Sequence, residues 1–113
     1  MRYLIYIIIL LFLCSCKSDL ELFMERGIQL YEWNQVDQSL LEFKHVINSL
    51  WPKYRDGEMN SYEHRLLARA HFNLGVGFAK LQDWSNAEKQ FAYAYDLVPE
   101  QEYREALTKI ATK

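Results

Sequence analysis

Few side chains in this 113-residue sequence are of a type and spacing that does covalent or metal chemistry. Its two thiols, Cys14 and Cys16, stand two positions apart, and three imidazoles follow at His45, His64 and His71. A thiolate is a nucleophile at moderate pH, which makes either Cys a candidate for acyl or alkyl transfer. A disulfide between them is the alternative, strained across so short a loop. His64 and His71 lie seven apart on one predicted helix, whereas zinc-binding helices pair ligands at i and i+4 and recruit a carboxylate. No HExxH, phosphate-cradling glycine loop or G-x-S-x-G elbow occurs. Gly75-Val76-Gly77 falls inside a helical pattern and means packing, and the carboxylates scatter as on solvated helix faces. The expectation is no enzyme, no metal and no cofactor.

The elements around the thiols explain them better. Met1-Arg2 is a short positive start, and Tyr3–Leu13 is an unbroken run of eleven apolar or aromatic residues. At 1.5 Å per residue that run spans about 16 Å, roughly half of a ~30 Å hydrocarbon core, so a cleaved secretory signal fits better than a permanent span. Leu13-Cys14-Ser15-Cys16 resembles the bacterial lipobox: an aliphatic residue at −3, a small one at −1, then the Cys that is acylated. The resemblance implies a signal over residues 1–15, diacylglyceryl transfer to the Cys16 thiol, cleavage before it, and a short lipidated tether over 16–19. Palmitate-like chains at ~0.8 kcal/mol per buried CH₂ then anchor the protein to a membrane.

Nothing else in the composition suggests an anchor or a polyanionic partner. Removing Arg2 with the signal leaves 12 basic against 15 acidic residues, a formal −3, which gives no basic surface for nucleic acid or anionic lipid. No Cys follows position 16, so the folded part is held by packing and not by disulfides.

The mature part carries an internal repeat. From Ala68 it reads ARAHFNLGVGFAKLQDWSNAEKQFAYAYDLVPEQ. Leu74, Phe78 and Leu81 share one helical face, Ala87, Phe91 and Ala94 share another, and Gln82-Asp83 breaks between them with Asp83 as a potential N-cap. Small residues at Gly75 and Ala87 let two antiparallel helices approach closely. With Leu74-Gly75, Phe78, Trp84, Ala87, Phe91, Ala94 and Pro99 in register, this stretch resembles a tetratricopeptide repeat (TPR), with His71 where the family often has Trp and Gln82 where it often has Gly. A weaker copy starts at Leu20, carried by Gly27, Leu30, Val36, Ser39, Phe43 and Val46. There Pro52 is one residue late and Trp33 stands for the common Leu before the turn. Gly27 and Gly75 are 48 apart, so the family's 34-residue unit is interrupted by 14 extra residues, roughly 54–67.

Five helices are predicted after the signal, at about 19–33, 36–50, 60–81, 84–97 and 100–111. Ser18 with Glu21, and Asn60 with Glu63, are the caps of the first and third. Trp51–Met59 reads as a loop and Pro99 as the first residue of the last helix. No segment alternates with period two. The expected fold is all-α: a short TPR-type solenoid over 20–113, with repeats at 20–53 and 68–101, an inserted loop and helix extension at 54–67, and a C-terminal capping helix.

For TPR proteins the working surface is the concave face made by the first helix of each repeat. The resemblance therefore implies a partner groove lined by Met24, Ile28, Tyr31 and Glu32 from the first repeat and by Arg69, Phe72, Asn73, Val76 and Lys80 from the second. The alternative is that several of these pack against the terminal helix or the inserted loop. Asn73 matches one position of the family's carboxylate clamp. Met24, Ile28, Tyr103 and Leu107 replace its other polar residues, so the clamp is not supported. Two repeats leave apolar surface uncovered, with Trp33, Trp51, Tyr54 and Tyr62 as candidates to line it. The functional expectation is a lipid-anchored adaptor or assembly factor of the bacterial cell envelope, binding a partner protein or peptide in the groove. The competing expectation is a structural envelope lipoprotein that associates with itself.

Overall fold

In the computed structural model, residues 1–13 and 18–113 are described. The expected lipidation site, Cys16, and its neighbour Cys14 lie outside the described residues. The helices run in the order α1 (Arg2–Leu13), α2 (Asp19–Glu32), α3 (Val36–Arg55), α4 (Ser61–Lys80), α5 (Trp84–Leu97) and α6 (Gln101–Ile110). The chain is all-α, with no strand among the described residues. Residues 1–10, which include most of the apolar α1, are exposed, and no described helix is long and apolar enough to cross a membrane.

Side-chain caps start three of the helices. The Ser18 hydroxyl accepts from the Glu21 N–H at 3.3 Å. Asn60 and Glu63 form a reciprocal box, at 2.8 Å and 3.3 Å, and Asp83 accepts from the Asn86 N–H at 3.3 Å. Two expectations need correction. Pro52 does not open a loop, because α3 continues through it to Arg55. Trp51 packs against the core and lies edge-on to Tyr54, 4.9 Å away, and these contacts outweigh the lost backbone bond. Pro52 and Asn48 are both exposed, so water can serve the carbonyl that Pro52 leaves free. Pro99, for its part, precedes the α6 cap Glu100 and does not begin the helix. It acts backwards: the residue before a proline is pushed out of the helical region, and Val98 is extended at φ −142°, ψ 106°, which ends α5.

The middle four helices form two hairpins, α2–α3 and α4–α5, related residue by residue at a separation of 48. Gln35 N–H donates to the Leu30 carbonyl at 2.8 Å and Asn34 N–H to that of Tyr31 at 3.0 Å. In the second hairpin Asp83 donates to Phe78 at 2.9 Å and Gln82 to Ala79 at 3.0 Å. These are paired Schellman turns, and each places its C′ residue in the left-handed region, Asn34 at φ 63° and Gln82 at φ 61°. One close approach recurs as well. A Cβ on Gly27 would sit 2.5 Å from the Phe43 ring, and one on Gly75 would sit 2.7 Å from the Phe91 ring. Absence of a side chain at these two positions lets an aromatic from the following helix press on the backbone.

Each helix from α2 onward packs against its successor, and α2 also touches α4. The main core joins Met24, Phe43, Val46 and Leu50 of the first hairpin to Leu67, Ala70 and Leu74 of α4. Two smaller clusters attach α6, one through Ala68, Ala94 and Tyr103, the other through Ala87, Phe91 and Ile110.

Candidate functional site

The first helices of the two hairpins run side by side, and a cavity of about 200 Å³ opens between them. Ile28 and Tyr31 of α2 form one wall, Phe72, Asn73 and Val76 of α4 the other, and Phe43 of α3 the floor. Ile28 and Val76 are equivalent positions of the two hairpins, so the repeat itself sets matching aliphatic side chains on opposite walls. The lining is almost wholly apolar. Its polar groups are the Tyr31 hydroxyl and the Asn73 amide, whose Nδ2 is shut off from water and has no hydrogen-bond acceptor among the described residues. A buried donor without a partner is costly and is normally satisfied. Closed to water as it stands, that nitrogen would meet an acceptor of a bound molecule only once the Asn73 side chain turns into the cavity.

Five of the nine expected groove residues therefore meet at one cavity. The others are placed elsewhere. Met24 is buried in the main core against α4, so it has no surface to offer a partner. It is the counterpart of Phe72, which packs on Tyr103 of α6 with ring centroids 5.0 Å apart. At this register each hairpin's first helix grips the next layer. Arg69 bridges to Glu102 at 3.1 Å and Glu100 at 3.8 Å, with its guanidinium 5.4 Å from the rings of both Phe72 and Tyr103. Its work is to fasten α6. Glu32 and Lys80 are exposed and do not line the cavity. Phe43, which the sequence gives only as a residue in the repeat register, is both core and cavity floor. Its register opposite Gly27 is the signal that could have indicated this.

The imidazoles serve structure. His45 stacks on Phe23 at 4.0 Å, and the His64 Nδ1–H donates to the Asn60 carbonyl at 3.2 Å. His71 is buried between Trp51 and Tyr93, and its Nδ1–H donates to Gln90 Oε1 at 2.7 Å. That bond leaves Nε2 buried and without a partner among the described residues. Burial holds the His71 pKa below the usual imidazole range, and the Gln90 bond opposes the shift only in part. Among the described residues no group of three His, Cys, Asp or Glu is placed to hold a metal.

Two further depressions involve α6. A second apolar cavity of about 200 Å³ lies between Trp84, Phe91 and Ile110, and a shallow polar one of about 470 Å³ lies along Tyr95, Arg104 and Thr108. Neither draws on both hairpins. No family model matches the chain, no curated protein matches its sequence, and no solved structure matches its fold.

Proposed function

We propose that this chain is a lipid-anchored binding module of the bacterial cell envelope, built from two tetratricopeptide-type repeats and a capping helix. It acts as an adaptor or assembly factor that receives a partner protein or peptide between α2 and α4. The reading of the hairpins as such repeats draws on their 48-residue equivalence, the Gly–aromatic contacts and the paired turns. The anchoring reading draws on Leu13-Cys14-Ser15-Cys16 after an apolar run that is too short to span a bilayer.

One observation carries the binding role: a cavity of about 200 Å³ with apolar walls and a buried, unpartnered amide donor at Asn73. That combination suits an apolar side chain whose neighbouring carbonyl accepts from Asn73 once the amide turns into the cavity. The test is crosslinking and recovery from intact membranes, comparing wild type with Ile28→Lys/Asn73→Ala and using Cys16→Ala as the anchoring control. Phe72 is left intact, because it also holds Tyr103. A partner recovered with wild type and lost from the folded, membrane-bound groove variant is the expected result.

The second reading, self-association, is favoured by the exposure of Leu22, Trp33 and Leu41 on the first hairpin. It requires both forms to recover only copies of themselves, and a size that rises with concentration.

A further inference from the structure

The length of the tether restricts where the bundle can stand. From Cys16 to the α2 cap at Ser18 is two residues, at most about 7 Å of chain. An acyl group on Cys16 therefore holds the start of α2 close to the headgroup layer. Because the helices alternate in direction, the same end of the bundle carries the last turn of α3 and the first turn of α4. Side chains fasten the three together. The Tyr62 hydroxyl donates to the Glu21 carboxylate, Lys53 Nζ meets Glu63 at 2.8 Å, and Tyr54 lies 6.1 Å from His64.

This end shows amphipathic aromatics to the outside. Tyr54 is 41% and Tyr62 40% exposed, and Leu22 on the first turn of α2 is 46% exposed. An aromatic body with a hydrogen-bonding tip is the side chain that settles at membrane interfaces. The opposite end exposes apolar surface too, Trp33 being 62% accessible, but the fourteen residues of α2 put it about 21 Å away. An end-on stance would keep it off the same surface. Charge selects the lipid. Lys53 is paired with Glu63, and the carboxylates of Asp19, Glu21, Asp56, Glu58 and Glu63 outnumber Lys53, Arg55 and Arg65, so this end has no net positive charge for anionic headgroups.

We infer that the tether end of the bundle, presenting Leu22, Tyr54 and Tyr62, docks on the headgroup layer of a zwitterionic phospholipid surface. The helices then stand end-on. Ile28 is nine residues and Val76 fifteen residues from the starts of their helices, which lifts the groove about 14–22 Å above that surface, within reach of a partner. The inference rests on the lipid-anchoring reading.

The test uses the purified, acylated chain on phosphatidylcholine vesicles doped with a gadolinium-chelating lipid. Nitroxide labels go on Arg55→Cys at the near end and, separately, on Ser85→Cys at the far end. Both native residues are exposed, and in the acylated protein Cys14 is gone with the signal and Cys16 is capped. The Arg55→Cys label should lose roughly half or more of its signal while the Ser85→Cys label, about 20–30 Å farther out, keeps its own. Adding Tyr54→Ser/Tyr62→Ser should narrow the difference between the two labels without releasing the chain from vesicles, because a bundle that is tethered but not docked can tip and bring its far end down. Equal losses at both labels, no loss at either in a chain that sediments with vesicles, or indifference to the tyrosine changes would each overturn the docking. A chain whose mass lacks acyl groups and that stays in the supernatant would overturn the anchoring reading, and the docking with it.

Discussion

The two hairpins reach one geometry with different side chains. Turn hydrogen bonds, left-handed C′ residues and the Gly–aromatic approach all coincide at a separation of 48 residues. Yet Ser39 stands where the second hairpin has Ala87, Gln35 where it has the capping Asp83, and Met24 where it has Phe72. Their burial differs as well. Each ring borders a cavity of about 200 Å³, but Phe43 is 1% exposed within the largest core cluster, whereas Phe91 is 5% exposed in a smaller cluster beside α6. Position in the stack accounts for this: the first hairpin is covered by a full second hairpin, the second only by the short α6. The backbone plan is repeated, and the burial depends on the neighbour.

The sharpest way to break the comparison is to truncate the two aromatics. Phe43→Ala should cost about 4 kcal/mol, and Phe91→Ala about 3 kcal/mol because it packs in a smaller cluster covered only by α6. Urea unfolding followed by circular dichroism measures both, and an equal or inverted order would remove the stacking argument. Next are the glycines facing those rings. Gly27→Ala and Gly75→Ala should each cost about 1–2 kcal/mol, since overpacking against a fixed ring exceeds the gain in helix propensity. A stabilised variant at either position would mean that the ring yields.

The turns predict gains. Gln82→Gly should raise stability by about 0.5–1 kcal/mol by relieving a left-handed residue that has a Cβ, and Asn34→Gly by less, because Asn tolerates that region better. Thermal melts of the two variants side by side would separate them. The smallest effect is a pH dependence that only the second hairpin carries. His71 has a folded pKa below its unfolded value, so the unfolded chain takes up the proton first. Its contribution is complete above about pH 6.5, falls as pH drops below that, and levels off once the folded imidazole also protonates. His71→Phe should flatten that part of the stability–pH curve, and an unchanged slope would assign it to other groups.

Much of the scaffold was readable from residue types. The Asn60–Glu63 box, the Asp83 cap and the close helix approach at Gly75 and Ala87 each follow from a local rule, and each is where the sequence placed it. The end of α3 was not readable, because Pro52 is a strong local signal that loses to the packing of Trp51 against a core formed far along the chain. The site divides on the same line. Ile28, Tyr31, Phe72, Asn73 and Val76, named through the tetratricopeptide resemblance, meet at one cavity. Met24 does not, because whether a residue of α2 lines the cavity or grips α4 depends on how the hairpins stack, and no local pattern encodes that.

The most direct test of the binding role is photo-crosslinking in the native membrane. Benzoylphenylalanine at Val76, on the cavity wall, is compared with the same group at exposed Lys89 on α5. A single heterologous adduct from Val76 that is absent from Lys89 and lost on adding Asn73→Ala is the predicted result. Adducts of equal yield from both positions, or adducts only between copies of the chain, would contradict a partner held between α2 and α4.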